Sequence, residues 1–112
     1  MRLQDKVAVV TGVDNEGIGR ATAIMFAEEG ARVVVTDIDR EAGSQVVAQI
    51  TRQGGEALFL KMDINIEGEI KEVFEETIKV FGRVDILVKG GFRMKRAAWP
   101  SASSKYSRRA SI

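Results

Sequence analysis

A chain of 112 residues supports one small domain, and its content of 45% hydrophobic and 29% charged residues is typical of a globular protein. It contains no cysteine and no histidine, which excludes disulfides, thiolate chemistry and histidine-based catalysis or metal binding, and its scattered carboxylates indicate no metal site. No run of about 18 apolar residues and no signal-peptide core is present, so we expect a cytoplasmic protein without a membrane segment.

The charged residues are divided unevenly along the chain. Residues 1–88 contain 10 Lys/Arg and all 16 Asp/Glu, whereas residues 89–112 contain seven Lys/Arg, several serines and no acidic residue. A change of this kind marks a boundary between segments of different nature. We therefore predict a folded unit at 1–88 and a basic Ser/Arg-rich tail at 89–112.

Short apolar runs rich in β-branched residues alternate with longer segments of helical period in residues 1–88. The runs predict buried strands at 6–11, 32–36, 57–62 and 84–88. The segments between them predict three helices: the first starts at Ile18, Asp39 caps the second, and the third carries an apolar stripe that begins at Ile66. Glycines at 30, 54–55 and 82 are expected to end these helices.

Continuous apolar strands that are separated by helices predict a parallel sheet covered on both faces. Right-handed crossovers favour the spatial order 3-2-1-4. The predicted fold is therefore α/β, a partial Rossmann-type doubly wound parallel sheet with a disordered or irregular C-terminal tail. In such a half-sheet the fourth strand, Val84–Val88, has an open edge, through which we expect self-association.

A glycine-rich loop joins the first predicted strand to the first predicted helix. Gly12 lets the chain turn off the strand, Gly17 removes a Cβ from the path of a phosphate, and Gly19 lets the helix pack close to the strand. The N–H groups at the start of that helix then face a diphosphate. The alternative is a tight turn without a ligand; a Walker-type loop is excluded, because no Gly-Lys-Ser/Thr follows.

Two carboxylates follow the second and third predicted strands. Asp37 is placed to accept both ribose hydroxyls of an adenosine and to repel a 2′-phosphate, which favours NAD over NADP. Asp63 is placed beside an adenine. The alternatives are that Asp37 merely starts the loop before Asp39, and that Asp63 is a helix-entry residue. Asp14 and Glu16 add negative charge to the loop that would meet the diphosphate.

At these residues the chain resembles the short-chain dehydrogenases/reductases. The resemblance is carried by Lys6-Val-Ala-Val-Val-Thr-Gly12, Gly17-Ile18-Gly19, Asp37, Asp63-Ile64 and Val84-Asp85-Ile86-Leu87-Val88, in the family's order and close to its spacing. It implies an oxidoreductase that transfers hydride between NAD(P) and an alcohol or carbonyl compound. It also implies a cofactor-binding role for the matching positions, namely Thr11, Gly12, Ile18, Gly19, Asp37 and Asp63.

The chain departs from the family's pattern in three ways. Four residues instead of three separate Gly12 from Gly17, and Lys89-Gly90-Gly91-Phe92 replaces an Asn-Asn-Ala-Gly segment whose first Asn lines the cofactor site. The family's catalytic Ser, Tyr-x-x-x-Lys and helix Asn are not found, since Ala110 stands four positions after the only tyrosine, Tyr106. We therefore assign no catalytic residue and predict the cofactor-binding portion of such an enzyme, truncated and inactive as this chain.

The basic tail has three interpretations. It is out-of-frame text that begins near residue 89, a solvated linker, or an arm that contacts nucleic acid through phosphates; the first is favoured, because loss of acidic residues coincides with loss of the family pattern. The alternative function is a non-enzymatic nucleotide-binding module whose basic tail contacts an acidic partner.

Overall fold

In a computed structural model of the chain, the described residues are 2–13, 17–63, 65–66, 68–89 and 92–93. They form five strands and three helices in alternation until the last two strands. The strands are β1 (Val7–Thr11), β2 (Arg32–Asp37), β3 (Glu56–Lys61), β4 (Ile86–Lys89) and β5 (Phe92–Arg93). The helices are α1 (Ile18–Glu28), α2 (Arg40–Arg52) and α3 (Glu69–Phe81).

The strands form one sheet in the order β3-β2-β1-β4-β5. The first four are parallel, as the long apolar runs predicted, and β5 is antiparallel to β4. The predicted order 3-2-1-4 is therefore confirmed. All five residues of β1, the central strand, are buried, as expected for a parallel strand covered on both faces.

The core consists of two apolar layers, one on each face of the sheet. On one face, Val10, Val33, Val35 and Val88 pack with the apolar sides of α1 and α2. On the other face, Val9, Val34 and Leu87 pack with Val73, Phe74 and Ile78 of α3. Alternate side chains of each strand thus enter opposite layers, which follows from the two-residue period of a strand.

The sequence signals for the helix ends agree with the structure. The Oδ1 atom of Asp39 accepts hydrogen bonds from the backbone N–H groups of Glu41 (3.0 Å) and Ala42 (3.3 Å), so Asp39 caps α2 as predicted. Each helix ends within two residues before the glycine that was expected to stop it.

Replacing Asp39 by alanine is expected to lower the free energy of unfolding by about 1 kcal/mol, because two N–H groups at the start of α2 lose their acceptor. Urea unfolding followed by circular dichroism measures the change. Asp39→Asn, which retains the capping oxygen, is expected to remain within about 0.5 kcal/mol of the wild type; equal losses for the two variants would contradict the capping role.

The predicted start of the third helix was wrong. α3 begins at Glu69, and Ile66 lies outside it with its side chain half exposed. Gly68, the residue before the helix, has a φ of 97°, which lies in the left-handed region. The helical backbone therefore cannot extend from α3 through Gly68 to Ile66, although the apolar spacing does.

The predicted edge strand also requires correction. β4 spans Ile86–Lys89 instead of Val84–Val88, and Val84 is a buried core residue just before it. The outer side of β4 is not fully open, because Val88 pairs with Arg93 and Lys89 with Phe92. Only two residues separate Lys89 from Phe92, and a connection of that length suffices for an antiparallel pair.

The sheet therefore extends past the predicted boundary at residue 88 by Lys89 and by β5. Residues 90–91 and 94–112 lie outside the described residues, as do Asp14 and Glu16 of the glycine-rich loop. Over the described part of the chain, no helix has the length and apolar character needed to span a membrane.

Candidate functional site

The parallel strands bring several sequence-predicted residues to one edge of the sheet. Thr11, the last residue of β1, lies opposite Thr36 of β2 and opposite Lys89 of β4. Asp37 at the end of β2 lies opposite Lys61 at the end of β3. The carboxyl ends of the four parallel strands thus form one polar edge, which is where ligands bind in open α/β sheets.

The turn after β1 is fixed by backbone hydrogen bonds. Gly12 has a φ of 70°, and its N–H donates to the carbonyl oxygen of Thr36 at 3.0 Å. The hydroxyl of the buried Thr11 donates to the carbonyl oxygen of Val88 at 3.4 Å. Gly12 itself is exposed. The first turn of the glycine-rich loop is therefore anchored to β2, and the strand before it to β4, while its outer surface is open.

Gly19 lies where α1 comes closest to the end of β1. A Cβ atom at Gly19 would lie 2.2 Å from the carbonyl oxygen of Gly12 and 3.0 Å from its carbonyl carbon. Because both atoms belong to the backbone, no side-chain rotation can relieve such a contact. The absence of a side chain at Gly19 thus sets the short distance between helix and turn, as the sequence predicted.

α1 begins at this edge, and no side chain among the described residues caps its first turn. Gly17 is the N-cap residue, is exposed, and provides no side-chain hydrogen bond to the helix. The first N–H groups of a helix have no partner within the helix and carry partial positive charge. The first turn of α1 contains no acidic residue, and its first residue, Ile18, is 65% exposed. This arrangement suits an anionic ligand.

Asp37 is a buried carboxylate at the end of β2, with only 5% of its surface exposed. Its Oδ1 atom accepts a hydrogen bond from the N–H of Asp39 at 2.8 Å, and its carbonyl oxygen accepts one from the N–H of Met62 at 3.1 Å. Asp37 therefore orders the β2–α2 connection and joins it to the end of β3. These bonds fix the carboxylate in place at the polar edge.

Asp63 has a similar local role after β3. Its Oδ1 atom accepts a hydrogen bond from the N–H of Asn65 at 2.9 Å, and its own N–H donates to Oε1 of Glu69 at 2.7 Å. Asp63 also lines a groove of about 600 Å³ between the end of β3 and α3, together with Ile38, Leu60 and Ile66. Ile38 was not singled out from the sequence. In the structure this apolar residue directly follows Asp37 and is 59% exposed, and that exposure draws attention to it.

The edge accordingly fits the adenosine diphosphate part of a dinucleotide. It combines a close glycine turn, an uncapped helix start, a buried carboxylate and a half-apolar groove in one row. It offers no metal centre within the part of the chain that the structure describes, since no three carboxylates there are grouped for one.

Comparison with known proteins decides the family. The family model described as short chain dehydrogenase matches residues 6–107. The chain belongs to the short-chain dehydrogenase family. An uncharacterized oxidoreductase from Thermotoga maritima is 43% identical over 88 residues, which cover 79% of this chain and 34% of that protein. This short-chain dehydrogenase chain thus spans about a third of the length of the curated relatives it matches.

Solved structures of the family agree in fold. The hydroxysteroid dehydrogenase of Escherichia coli superimposes with a TM-score of 0.75 at 43% identity, over 79% of this chain and 37% of that one. A metagenomic short-chain oxidoreductase in complex with NADP (37% identity) and NAD+-bound xylitol dehydrogenase (32% identity) each give a TM-score of 0.73. They cover 78% of this chain, and 39% and 33% of their own chains, respectively. Family members with this fold therefore bind nicotinamide dinucleotides of both kinds.

Proposed function

We propose that this chain binds NAD across the carboxyl edge of its sheet, as the cofactor-binding part of an oxidoreductase that acts on an alcohol or carbonyl compound. The observation that carries the proposal is the contact of Gly19 with the Gly12 turn, beside a buried carboxylate at the end of the next strand. Each feature alone has a structural explanation. Their position in one row on adjacent parallel strands is what a dinucleotide requires.

The binding roles follow from the position of each residue along the edge. The N–H groups at the start of α1, from Ile18 onward, hold the diphosphate, and Gly12, Gly17 and Gly19 leave room for it. Thr11 stabilises the end of β1, just before the turn, because its hydroxyl donates a hydrogen bond to the carbonyl oxygen of Val88. Asp37 accepts hydrogen bonds from the adenosine ribose.

The adenine lies next to the ribose, in the groove after β2 and β3. Ile38 supplies an exposed apolar surface for one face of the ring, and Asp63 also lines the groove. The groove is lined by four apolar side chains, four carboxylates and Lys61, so it offers an adenine both apolar contact and acceptors for its amino group.

The preference for NAD over NADP rests on Asp37. A 2′-phosphate carries about two negative charges near neutral pH, and a buried carboxylate at the ribose has little water to screen the repulsion. The carboxylate of Asp37 suits a ribose hydroxyl better than a 2′-phosphate, because a hydroxyl donates a hydrogen bond that a carboxylate accepts.

The chemistry of the bound cofactor is hydride transfer to or from the substrate carbon. In the family, the accompanying proton moves through a tyrosine paired with a lysine. Tyr106 is the only tyrosine of these 112 residues, and the residue four positions after it is Ala110 and not a lysine. We therefore propose that these residues bind and orient the dinucleotide but do not complete a proton relay by themselves.

The extent and setting of the binding unit belong to the same proposal. We assign the unit to residues 1–88, extended by Lys89 and β5, and place it in the cytoplasm. Self-association stays a prediction, with β5 and β3 as the edge strands instead of Val84–Val88. The non-enzymatic role of the basic tail also stays a prediction, because residues 94–112 lie outside the described part of the chain.

Titration of the 112-residue chain with NADH and NADPH, followed by nicotinamide fluorescence, tests the proposal. We expect the wild type to bind NADH more tightly, and Asp37→Asn to weaken NADH binding about tenfold, the loss of one charge-assisted hydrogen bond. The same variant is expected to bind NADPH at least as tightly as the wild type. The amide side chain of the variant retains an oxygen for the N–H of Asp39, so the local turn persists.

Asp5→Asn is the matched control. Asp5 is an exposed acid before β1, at the opposite end of the sheet, and its loss changes the net charge by the same amount. It should leave both affinities unchanged. Absence of NADH binding by the folded wild type would reject the proposed function, and an unchanged preference in Asp37→Asn would reject the role of Asp37.

A further inference from the structure

Lys89 places a positive charge at the centre of the polar edge. We propose that its ammonium group contacts the diphosphate of the dinucleotide and offsets the acidic residues of the site, and that it thereby raises the affinity for the cofactor. The inference rests on the proposed function, because it needs a dinucleotide at this edge. It concerns a position where the resembled family has a neutral asparagine.

The register of the sheet gives Lys89 this position. Lys89 ends β4 directly opposite Thr11, which ends β1, and the next residue after Thr11 is the exposed Gly12 turn. Neighbouring strands lie about 4.8 Å apart, and opposite residues of a parallel pair project from the same face. Lys89 is exposed at the end of its strand. Because Val88 packs on the α1/α2 face, Lys89 and Thr11 project from the face that α3 covers. The four-carbon stem of Lys89 therefore has to extend past the end of β1 to bring the ammonium group in front of Gly12.

The charges around the edge require such a cation. Asp37 and Asp63 lie on the described part of the edge, and Asp14 and Glu16 belong to the glycine-rich loop by sequence. A diphosphate bound at this edge adds negative charge near Asp37 and Asp63, which would weaken its binding. One lysine within a few ångströms of the phosphates reduces that repulsion.

Lys61, the other lysine at the carboxyl edge of the described sheet, is less well placed for this role. It ends β3 opposite Asp37, so β2 lies between it and β1. Two strand spacings separate it from the Gly12 turn, about 10 Å, which is near the screening length at 0.1 M salt. Lys61 lines the groove near Asp63 instead.

Ligand fragments separate a phosphate contact from other roles of Lys89. We propose to measure the affinities of NADH, ADP and adenosine for the wild type, Lys89→Gln, Lys89→Asn and Lys89→Arg, at about 0.05 M and 0.5 M salt. At low salt, the Gln and Asn variants should bind NADH and ADP about five- to tenfold more weakly, with adenosine unchanged. The arginine variant should remain within about twofold of the wild type, and the deficits should shrink at high salt.

Lys79→Gln is the matched control, since Lys79 is an exposed lysine near the end of α3, away from the carboxyl edge. It should behave as the wild type with all three ligands. Thermal unfolding of each variant verifies that it is folded, and the salt dependence of ADP binding by the wild type provides a readout that needs no variant.

The outcomes distinguish this inference from the proposed function. If the wild type binds NADH and Lys89→Gln binds ADP equally well, the inference is overturned and the proposed function stands. The same holds if adenosine and ADP lose affinity equally, because Lys89 then supports the edge without contacting phosphate. If the wild type binds none of the ligands, the proposed function fails and the inference fails with it.

Discussion

Replacing Gly19 by alanine is expected to abolish measurable NADH binding and to lower the free energy of unfolding by about 2–4 kcal/mol. The new Cβ would lie 2.2 Å from the carbonyl oxygen of Gly12, so α1 or the turn must move by about 1 Å to avoid it. Either movement displaces the N–H groups of α1 from the diphosphate, and small displacements of that kind cost much of the binding.

Gly43→Ala is a control that separates loss of stability from loss of the site. A Cβ at Gly43 would meet ring atoms of Phe59 at 2.1 and 2.2 Å, which is a side-chain contact between α2 and β3. The ring can shift where a backbone carbonyl cannot, so we expect a smaller loss of stability and unchanged NADH affinity. Urea unfolding and NADH titration on both variants measure the two effects. If Gly19→Ala binds NADH as the wild type does, the close turn is not part of the site.

Replacing Asp85 by alanine is expected to lower the free energy of unfolding by about 3 kcal/mol, without any contact to the nucleotide edge. The Oδ2 atom of Asp85 accepts hydrogen bonds from the buried N–H of Val7 at 2.9 Å and from Nε of Arg83 at 2.8 Å. Its Oδ1 atom accepts one from Nη2 of Arg83 at 2.7 Å. In the variant, the N–H of Val7 at the start of β1 loses this acceptor. Arg83 also loses both of its hydrogen bonds to the Asp85 carboxylate.

The arginine of this pair should matter less than the acid. In Arg83→Met the N–H of Val7 retains its acceptor, and Arg83 is 25% exposed, so water replaces part of its interaction. Hydrogen bonding to Asp85 raises the pKa of Arg83 above its already high ordinary value. The stability that the raised pKa provides is fully present below the ordinary pKa of arginine, neutral pH included, and is lost only as pH rises through the higher pKa of the folded state. Urea unfolding at pH 7.5 therefore compares charged forms of Arg83, and equal losses from the two substitutions would contradict the smaller role of the arginine.

The sheet order was predictable because its signals are local. Each strand is a continuous apolar run, each helix has a periodic apolar face, and chain crossovers have a fixed hand. The same logic failed at Ile66, whose spacing fits the α3 stripe although the left-handed Gly68 interrupts the helix. The spacing of apolar residues gives no information on the backbone conformation of a glycine that lies between two of those residues.

The sequence indicates the proposed site only where a single residue carries the signal. Gly12, Gly19 and Asp37 indicate the edge by type and position; Gly12 and Asp37 lie at the ends of β1 and β2, and Gly19 of α1 lies against the Gly12 turn. Ile38 was not included in the prediction from the sequence, and Lys89 was treated there only as a departure from the family's pattern, because the roles proposed for both depend on neighbours distant in sequence. Lys89 lies opposite Thr11 because of the register between β1 and β4, and the two residues are 78 positions apart in the chain. The residues next to Lys89 in the sequence do not indicate this pairing.

The position of β1 in the middle of the sheet also determines the order in which the polypeptide can fold. Val7 meets Arg32 after a short excursion of the chain, but its bond to Asp85 spans 78 residues, so that loop closes late. While the chain is being synthesised, Val9 has no cover on the α3 face until Phe74 and Leu87 have been made. The carbonyl of Val88, which accepts the Thr11 hydroxyl, arrives at the same moment. Completion of folding and competence to bind a nucleotide should therefore appear together on a growing chain.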